Sequence, residues 1–271
     1  MTITIIIACL CLIVLIIGKV NLSLRFNRQV KALFSQSSNI SDQYFHESEL
    51  KNLPEPVQRY FKYTLKEGQS YISYARIKHD GQFKADLNKG WMQIKGEQYA
   101  TTQRPGFIWN GTTAMFDARD MYISDHGRLI VTLFSIYNIV DAHDKAQYDS
   151  GEMLRWLGES VLYPTNLLPS NRLVWKPIDD EKAKLTFNYK GQSLYFVITV
   201  NGIGEITEME TKRFMDENSL ETWIIKPTNY KELNGLKIPT YFDVSWRLDG
   251  RDFSYAKFRI LEVEYDKPAK F

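Results

Sequence analysis

Three short stretches bring together side chains able to do acid–base or ion-binding chemistry. In "MFDARDMY", residues 115–122, a strand places Asp117 and Arg119 on one face and Asp120 on the other, with Met115 leading in. Two carboxylates beside a guanidinium can transfer a proton or hold a polar head group, and the same trio also fits an ordinary cross-strand ion pair. In "GEMLRWLGES", 151–160, Glu152, Arg155 and Glu159 stand at i, i+3 and i+7, so a helix aligns them in one charged strip. In "WMQIKGEQYATTQRPGFIWNG", 91–111, alternation puts Trp91, Gln93, Lys95, Glu97 and Tyr99 on one face, and Phe107 and Trp109 follow. That segment fits an amphipathic strand, a cavity wall with a Lys–Glu pair, or an active site.

The remaining chemistry is sparse. The four histidines, His46, His79, His126 and His143, lie far apart and without metal-ligand spacing, so no metal is expected. The chain has no G-x-S-x-G elbow, P-loop or dinucleotide fingerprint, so no cofactor and no catalytic residue are assigned. Both cysteines, Cys9 and Cys11, fall in the first apolar run, which removes thiol and disulfide chemistry from the body. A formal charge of +2 over 271 residues, without a basic stripe interleaved with aromatics, argues against nucleic acid.

The elements that position these groups follow from periodicity. "ITIIIACLCLIVLIIG", residues 3–18, is long and apolar enough for a membrane span, extended by Val20, Leu22 and Leu24 if Lys19 snorkels. It lacks the basic n-region and small-residue cleavage site of a signal peptide. The expected organisation is an uncleaved transmembrane anchor at 1–24, a juxtamembrane linker at 25–52 and a curled β-sheet domain at 53–271. Lys19, Arg25, Arg28 and Lys31 follow the span and no Lys or Arg precedes it, which favours a cytoplasmic body.

"LPEPVQRYFKYTL", 53–65, reads as a packing helix with Val57, Tyr60, Phe61 and Leu65 on one face. Beyond residue 70 the pattern is one short strand after another. Turns are expected at "HDG" 79–81, "DHG" 125–127, "KGQ" 190–192, "LNG" 233–235 and "LDG" 248–250. The expected fold is mainly β: a curled antiparallel sheet or half-barrel of about eleven strands, wrapping or plugged by a helix. Strands apolar on both faces, such as "LIVTLFSIYNIV" at 129–140, need an apolar cover. The helix near Gly151 supplies it, with its charged strip to solvent and Leu167 and Leu168 at the rim. A helix-plugged half-barrel can be solid or can enclose a ligand cavity.

The blocks "LPEPVQRYFKY", "WMQIKGEQY", "PGFIWNG", "MFDARDMY", "MLRWLGES", "YPTNLLPS" and "IPTYFDVSWRL" in this order resemble an uncharacterised bacterial family of membrane-anchored proteins with a domain of unknown function, over about residues 50–265. The meander ending in "NYKELNGLKIPTYFDVSW" resembles, more distantly, the LolA/LolB lipoprotein-carrier superfamily. That likeness implies a cavity for a lipid-like ligand and an extracytoplasmic body, opposite to the charge rule. An uncleaved span departs from the carrier pattern and fits a tethered receptor or local hand-off. The leading expectation is a membrane-anchored domain binding a lipid or apolar small molecule, with the membrane reached through residues 3–18 and no protein partner identified. Trp91, Lys95, Glu97, Tyr99, Trp109, Met115, Asp117, Arg119, Arg155, Trp156, Leu167 and Leu168 form the candidate ligand site. The alternatives are a membrane-surface enzyme using Asp117, Asp120, Glu97 or Glu152, and a structural domain with a filled core.

Overall fold

Alternating residues joined by tight turns build thirteen antiparallel strands. In the computed structural model, which describes residues 2–37 and 39–271, they are β1 (Tyr74–Phe83), β2 (Met92–Thr101), β3 (Gly106–Thr112), β4 (Phe116–Ile123), β5 (His126–Leu133), β6 (Tyr137–Ala142), β7 (Leu173–Pro177), β8 (Lys182–Tyr189), β9 (Gln192–Val200), β10 (Ile206–Phe214), β11 (Leu220–Leu233), β12 (Leu236–Leu248) and β13 (Arg251–Tyr265). They form one sheet in the order β6-β5-β4-β3-β2-β1-β13-β12-β11-β10-β9-β8-β7. Register shifts at Lys78/His79, Val131/Thr132, Ile206/Glu208 and Val244/Ser245 bend it. The result is a curled sheet whose edges, β6 and β7, do not pair with each other.

Thirteen strands replace the expected eleven or so, partly because the apolar run at 129–140 folds back on itself. β5 and β6 meet through Phe134 and Ser135, at φ of 48° and 62°. Neither residue type signals a positive-φ turn, so the sequence reads as one strand. The reverse error occurs at "HDG", where β1 runs straight through. There Gly81 admits the Lys257 carbonyl; a Cβ would sit 2.0 Å from that oxygen. The turns at Lys190–Gly191, Asn234–Gly235 and Asp249–Gly250 fall as expected, each pair at positive φ.

Among the described residues three α-helices complete the fold. α1 (Thr2–Ser35) has an 18-residue window of mean hydropathy 3.0 and is long and apolar enough to cross a membrane. It does not end where the linker was expected. Phe26, Val30 and Leu33, at i, i+4 and i+7, bury against Tyr99, Ile108 and Met121 on the convex face of the sheet. This packing keeps residues 25–35 helical. α2 (Glu55–Thr64) buries Val57, Tyr60 and Phe61, the face read from the sequence, and covers β8, β9 and β12.

α3 (Ala146–Glu159) lies inside the curl, against β3–β5 on one side and β9–β10 on the other, so it bridges the two arms of the open sheet. Short 3-10 turns at Ser160–Leu162 and Pro164–Leu167 continue it. Hydrogen bonds pin this insert. Trp156 Nε1 donates to the Thr101 carbonyl at 2.8 Å, Tyr163 Oη to the Trp156 carbonyl at 3.0 Å, and Trp175 Nε1 to the Leu167 carbonyl at 2.9 Å. Trp156 is 1% exposed and packs on Phe187. Trp156→Ala is therefore expected to cost about 3–5 kcal/mol of unfolding free energy, as for other buried large-to-small changes. Trp91→Ala, at a partly exposed site, should cost far less. Denaturant unfolding in detergent checks this, and equal losses would contradict the packing described.

Candidate functional site: a cavity with a charged belt

One face of α3 is packed solid and the other is not. Gly151, Glu152, Arg155, Gly158 and Glu159 border a cavity of about 1060 Å³ between α3 and the concave face of the sheet. Its walls are apolar, with Ile77, Ile94 and Trp109 on one arm and Trp223, Val244 and Trp246 on the other. The interior is thus half filled and half hollow. The volume matches the upper end of the roughly 300–1,000 Å³ typical of small-molecule pockets.

A belt of charge crosses the apolar lining. Arg155 is paired with Asp120 on β4, and its Nε lies 2.9 Å from Glu159 Oε1. Its guanidinium stacks 4.7 Å from the centroid of Trp109 and 5.2 Å from that of Phe107. Gln98 Nε2 donates to Glu159 Oε2 at 2.6 Å. Across the cavity Arg213 Nη2 donates to Glu152 Oε1 at 3.3 Å and sits 4.6 Å over Trp223. Among the described residues, Asp120 Oδ1, Glu152 Oε2 and Arg213 Nε are buried without a hydrogen-bond partner. Unpaired buried polar atoms are costly, so these three are the unsatisfied points of the belt.

The belt holds three carboxyl and two guanidinium groups. Burial, aided by Asp120, pushes Glu152 up to about 8, with Arg213 and Arg155 opposing. Burial works against the Arg155 charge, but Glu159, Asp120 and Glu152 together hold it above the ordinary arginine range. Beside the belt, burial pushes His79 down to about 4. Trp109 Nε1 donates to His79 Nε2 at 2.7 Å, which assigns the ring proton to Nδ1, facing the Asp80 carbonyl at 3.4 Å.

The residues singled out from the sequence divide between the two faces of the sheet. Trp109 and Arg155 line the cavity, joined by Asp120 and Glu152 from the acid–base alternative. The charged strip of α3 therefore faces the cavity rather than bulk solvent, and Glu152 is 6% exposed. Trp156 lies behind α3, and Leu167 and Leu168 are in the packed core, not at a rim. Lys95, Glu97, Tyr99, Asp117 and Arg119 share the outer face; the grouping by alternation is right, but on β2 the inward positions are Ile94 and Gln98. Trp91 stands outside the cavity under the Lys84 and Lys257 ammonium groups, and Met115 is exposed at the β3–β4 turn. Sequence reasoning missed His79, Gln98 and Arg213. Gly96 is the signal for His79: the two are paired in register, and a Cβ on Gly96 would lie 1.9 Å from His79 Nε2.

With fold and site described, comparison with known proteins gives the family. The model of a family of unknown function, DUF6544, matches residues 43–258. The chain belongs to this family. Among curated proteins none matches the chain. Of solved structures, a LolA superfamily protein from Nitrosomonas europaea is similar at 10% identity and a TM-score of 0.43, over 77% of this chain and 91% of that one. A DUF1329 family protein from Desulfovibrio piger is similar at 11% identity and a TM-score of 0.35, over 72% and 86%.

The belt gives this member of the family a defined pH signature. Glu152 holds its proton in the folded state up to about 8, whereas an ordinary glutamate loses it near 4.5. The folded state thus binds more protons between these values, and the Glu152 contribution to stability falls as pH rises through them. His79 acts oppositely: its folded value near 4 against an ordinary 6.5 makes stability rise with pH in that lower window. Above 6.5 the Glu152 slope stands without that of His79. The unfolding free energy of wild type minus that of Glu152→Gln should therefore decline between pH 6.5 and 8, and a flat difference would contradict the buried, proton-holding carboxyl.

Proposed function

We propose that this domain, anchored in a membrane by α1, takes up the apolar chain of a lipid-like molecule in its cavity and meets the polar end with the Arg155–Asp120–Glu152–Arg213 belt. The observation that carries this reading is which strand connections contribute to the cavity lining. The β1–β2, β10–β11 and β12–β13 connections leave the same edge of the sheet and contribute Leu87, Met215 and Asp249 to the cavity lining. The β3–β4 and β5–β6 turns leave that edge too, with Met115, Phe134, Ile136 and Tyr137 exposed.

α1 runs toward this edge. Its last turn lies by the opposite end of the strands, where Gln36 Oε1 accepts from the Ser124 amide at 3.0 Å. At Gly18 it passes the β5–β6 turn closely enough that a Cβ would sit 2.5 Å from the Ser135 carbonyl oxygen. The apolar residues before Gly18 therefore project past the edge whose connections line the cavity. With α1 in a bilayer, an apolar rim meets the membrane and a chain can pass from leaflet to cavity without crossing water. Each methylene transferred within apolar surroundings avoids a cost of about 0.8 kcal/mol.

The test is native mass spectrometry of the full chain extracted mildly from cells and challenged with lipid extract. A retained lipid or isoprenoid is expected. Ala118→Trp, which fills the cavity from β4, should reduce retention at least about tenfold, corresponding to roughly 1.4 kcal/mol. A clean apo mass that takes up nothing would overturn the reading.

Glu152 supports a second reading, an enzyme acting on the bound molecule. A carboxyl raised to about 8 beside an open cavity suits general acid–base work. On that reading Glu152→Gln keeps lipid retention and abolishes conversion of the retained molecule, whereas simple binding leaves the molecule unchanged with either residue.

A further inference from the structure

A second pocket, of about 370 Å³, lies on the convex face between α1 and strands β3–β6, and its wall is basic. Arg25 and Arg28 reach it from α1, Arg119 from β4 and Arg128 from β5. Two acids oppose them. Asp141 is engaged by Arg128 through bonds of 2.8 and 2.7 Å, and Asp117 accepts from Thr112 at 3.0 Å and Ser135 at 2.9 Å. Among the described residues, Arg25, Arg28 and Arg119 form no ion pair.

Arg119 is the unusual member. It is 6% exposed. Its Nη1 donates to Gln29 Oε1 at 2.9 Å and its Nη2 to the Leu22 carbonyl at 3.2 Å, while Nε is buried without a partner. Burial brings its pKa down to about 10, with Arg25 adding to the effect and Asp117 opposing it. A guanidinium taken out of water beside further cations is costly unless an anion joins them, and the planar fork suits a phosphate.

The depth of the pocket points to the source of that anion. It spans the level of Leu22 to Ala32 on α1, where the apolar stretch ends. Gly18 and the β5–β6 turn lie about 10 Å further along the axis from Arg25, toward the apolar end. When the turn sits among acyl chains, the arginines lie at the height of head groups.

We propose that this pocket binds a phosphate group, that of an anionic lipid in the leaflet from which α1 emerges. The site rests on α1 crossing a bilayer, as in the reading above, but not on the cavity being filled. It ties the orientation of the β-domain to the membrane surface through a charge-assisted contact separate from the helix itself.

The test places the full chain in nanodiscs of phosphatidylcholine with a minority of phosphatidylglycerol and measures retained lipids by native mass spectrometry. Phosphatidylglycerol should be retained over phosphatidylcholine. Arg119→Gln and the exposed Arg28→Gln should each weaken that preference about tenfold, the loss of one charge-assisted hydrogen bond. Ala118→Trp, confined to the cavity, should leave the preference intact, so failure of one site does not imply failure of the other. Equal retention of both lipids, unchanged in the arginine variants, would overturn the site. Displacement by millimolar inorganic phosphate would overturn the lipid assignment in favour of a soluble phosphate. Failure of the chain to enter the disc would overturn the anchoring on which the site depends.

Discussion

The pairing of Arg155 with Asp120 and Glu159 is the interaction on which the interior depends. A guanidinium inside a curled sheet must be matched by carboxylates, because an unpaired buried charge costs several kcal/mol. Matching Arg155 to Asp120 of β4 fixes α3 against one arm of the sheet, and Gln98 of β2 closes on Glu159. On the other arm Arg213 of β10 reaches Glu152. With α3 held on both sides by charge, its apolar face has one place to go, the packed region around Trp156. The cavity is what remains between the charged face of α3 and the inward residues of the strands.

The two faces of the sheet thus carry different relations to α1. The concave face is apolar and crossed by a belt of paired charges. The convex face seats α1 through Phe26, Val30 and Leu33 and surrounds the next turns with arginine. Because one helix passes both the arginine pocket and the β5–β6 turn, rim and pocket stand at fixed heights along it. That fixed relation distinguishes this arrangement from a domain joined to its N-terminal helix by a flexible tether.

Much of the architecture was legible in the sequence because hydrophobic period and turn chemistry are local. α2 and the hairpins turning at Asn234–Gly235 and Asp249–Gly250 were read nearly at their observed places, whereas Asp80–Gly81 lies inside β1 and the embedded helix, read from Gly151, begins at Ala146. The failures share one cause: choices made by distant packing. Residues 25–35 are polar enough to read as linker, yet stay helical because Tyr99, Ile108 and Met121 offer a seat. Phe134–Ser135 turns the chain with residues that seldom adopt positive φ. For the site, alternation on β2 sorted Lys95, Glu97 and Tyr99 from Ile94 and Gln98 but held no sign of which set points inward. Arg155 and Trp109, singled out from a charged helix strip and an aromatic-rich strand, both line the cavity, although the strip was expected to face solvent. Arg213 was missed because its partner, Glu152, is 61 residues away.

The most direct measurement is quenching of single tryptophans by lipids brominated along the acyl chain, in vesicles containing the full chain. Trp246 lines the cavity and Trp175 lies in the packed core; both are 7% exposed. A cavity entered by lipid chains requires that a variant retaining Trp246 alone be quenched strongly and one retaining Trp175 alone weakly. Equal, weak quenching of both would contradict a cavity that takes up chains from the bilayer.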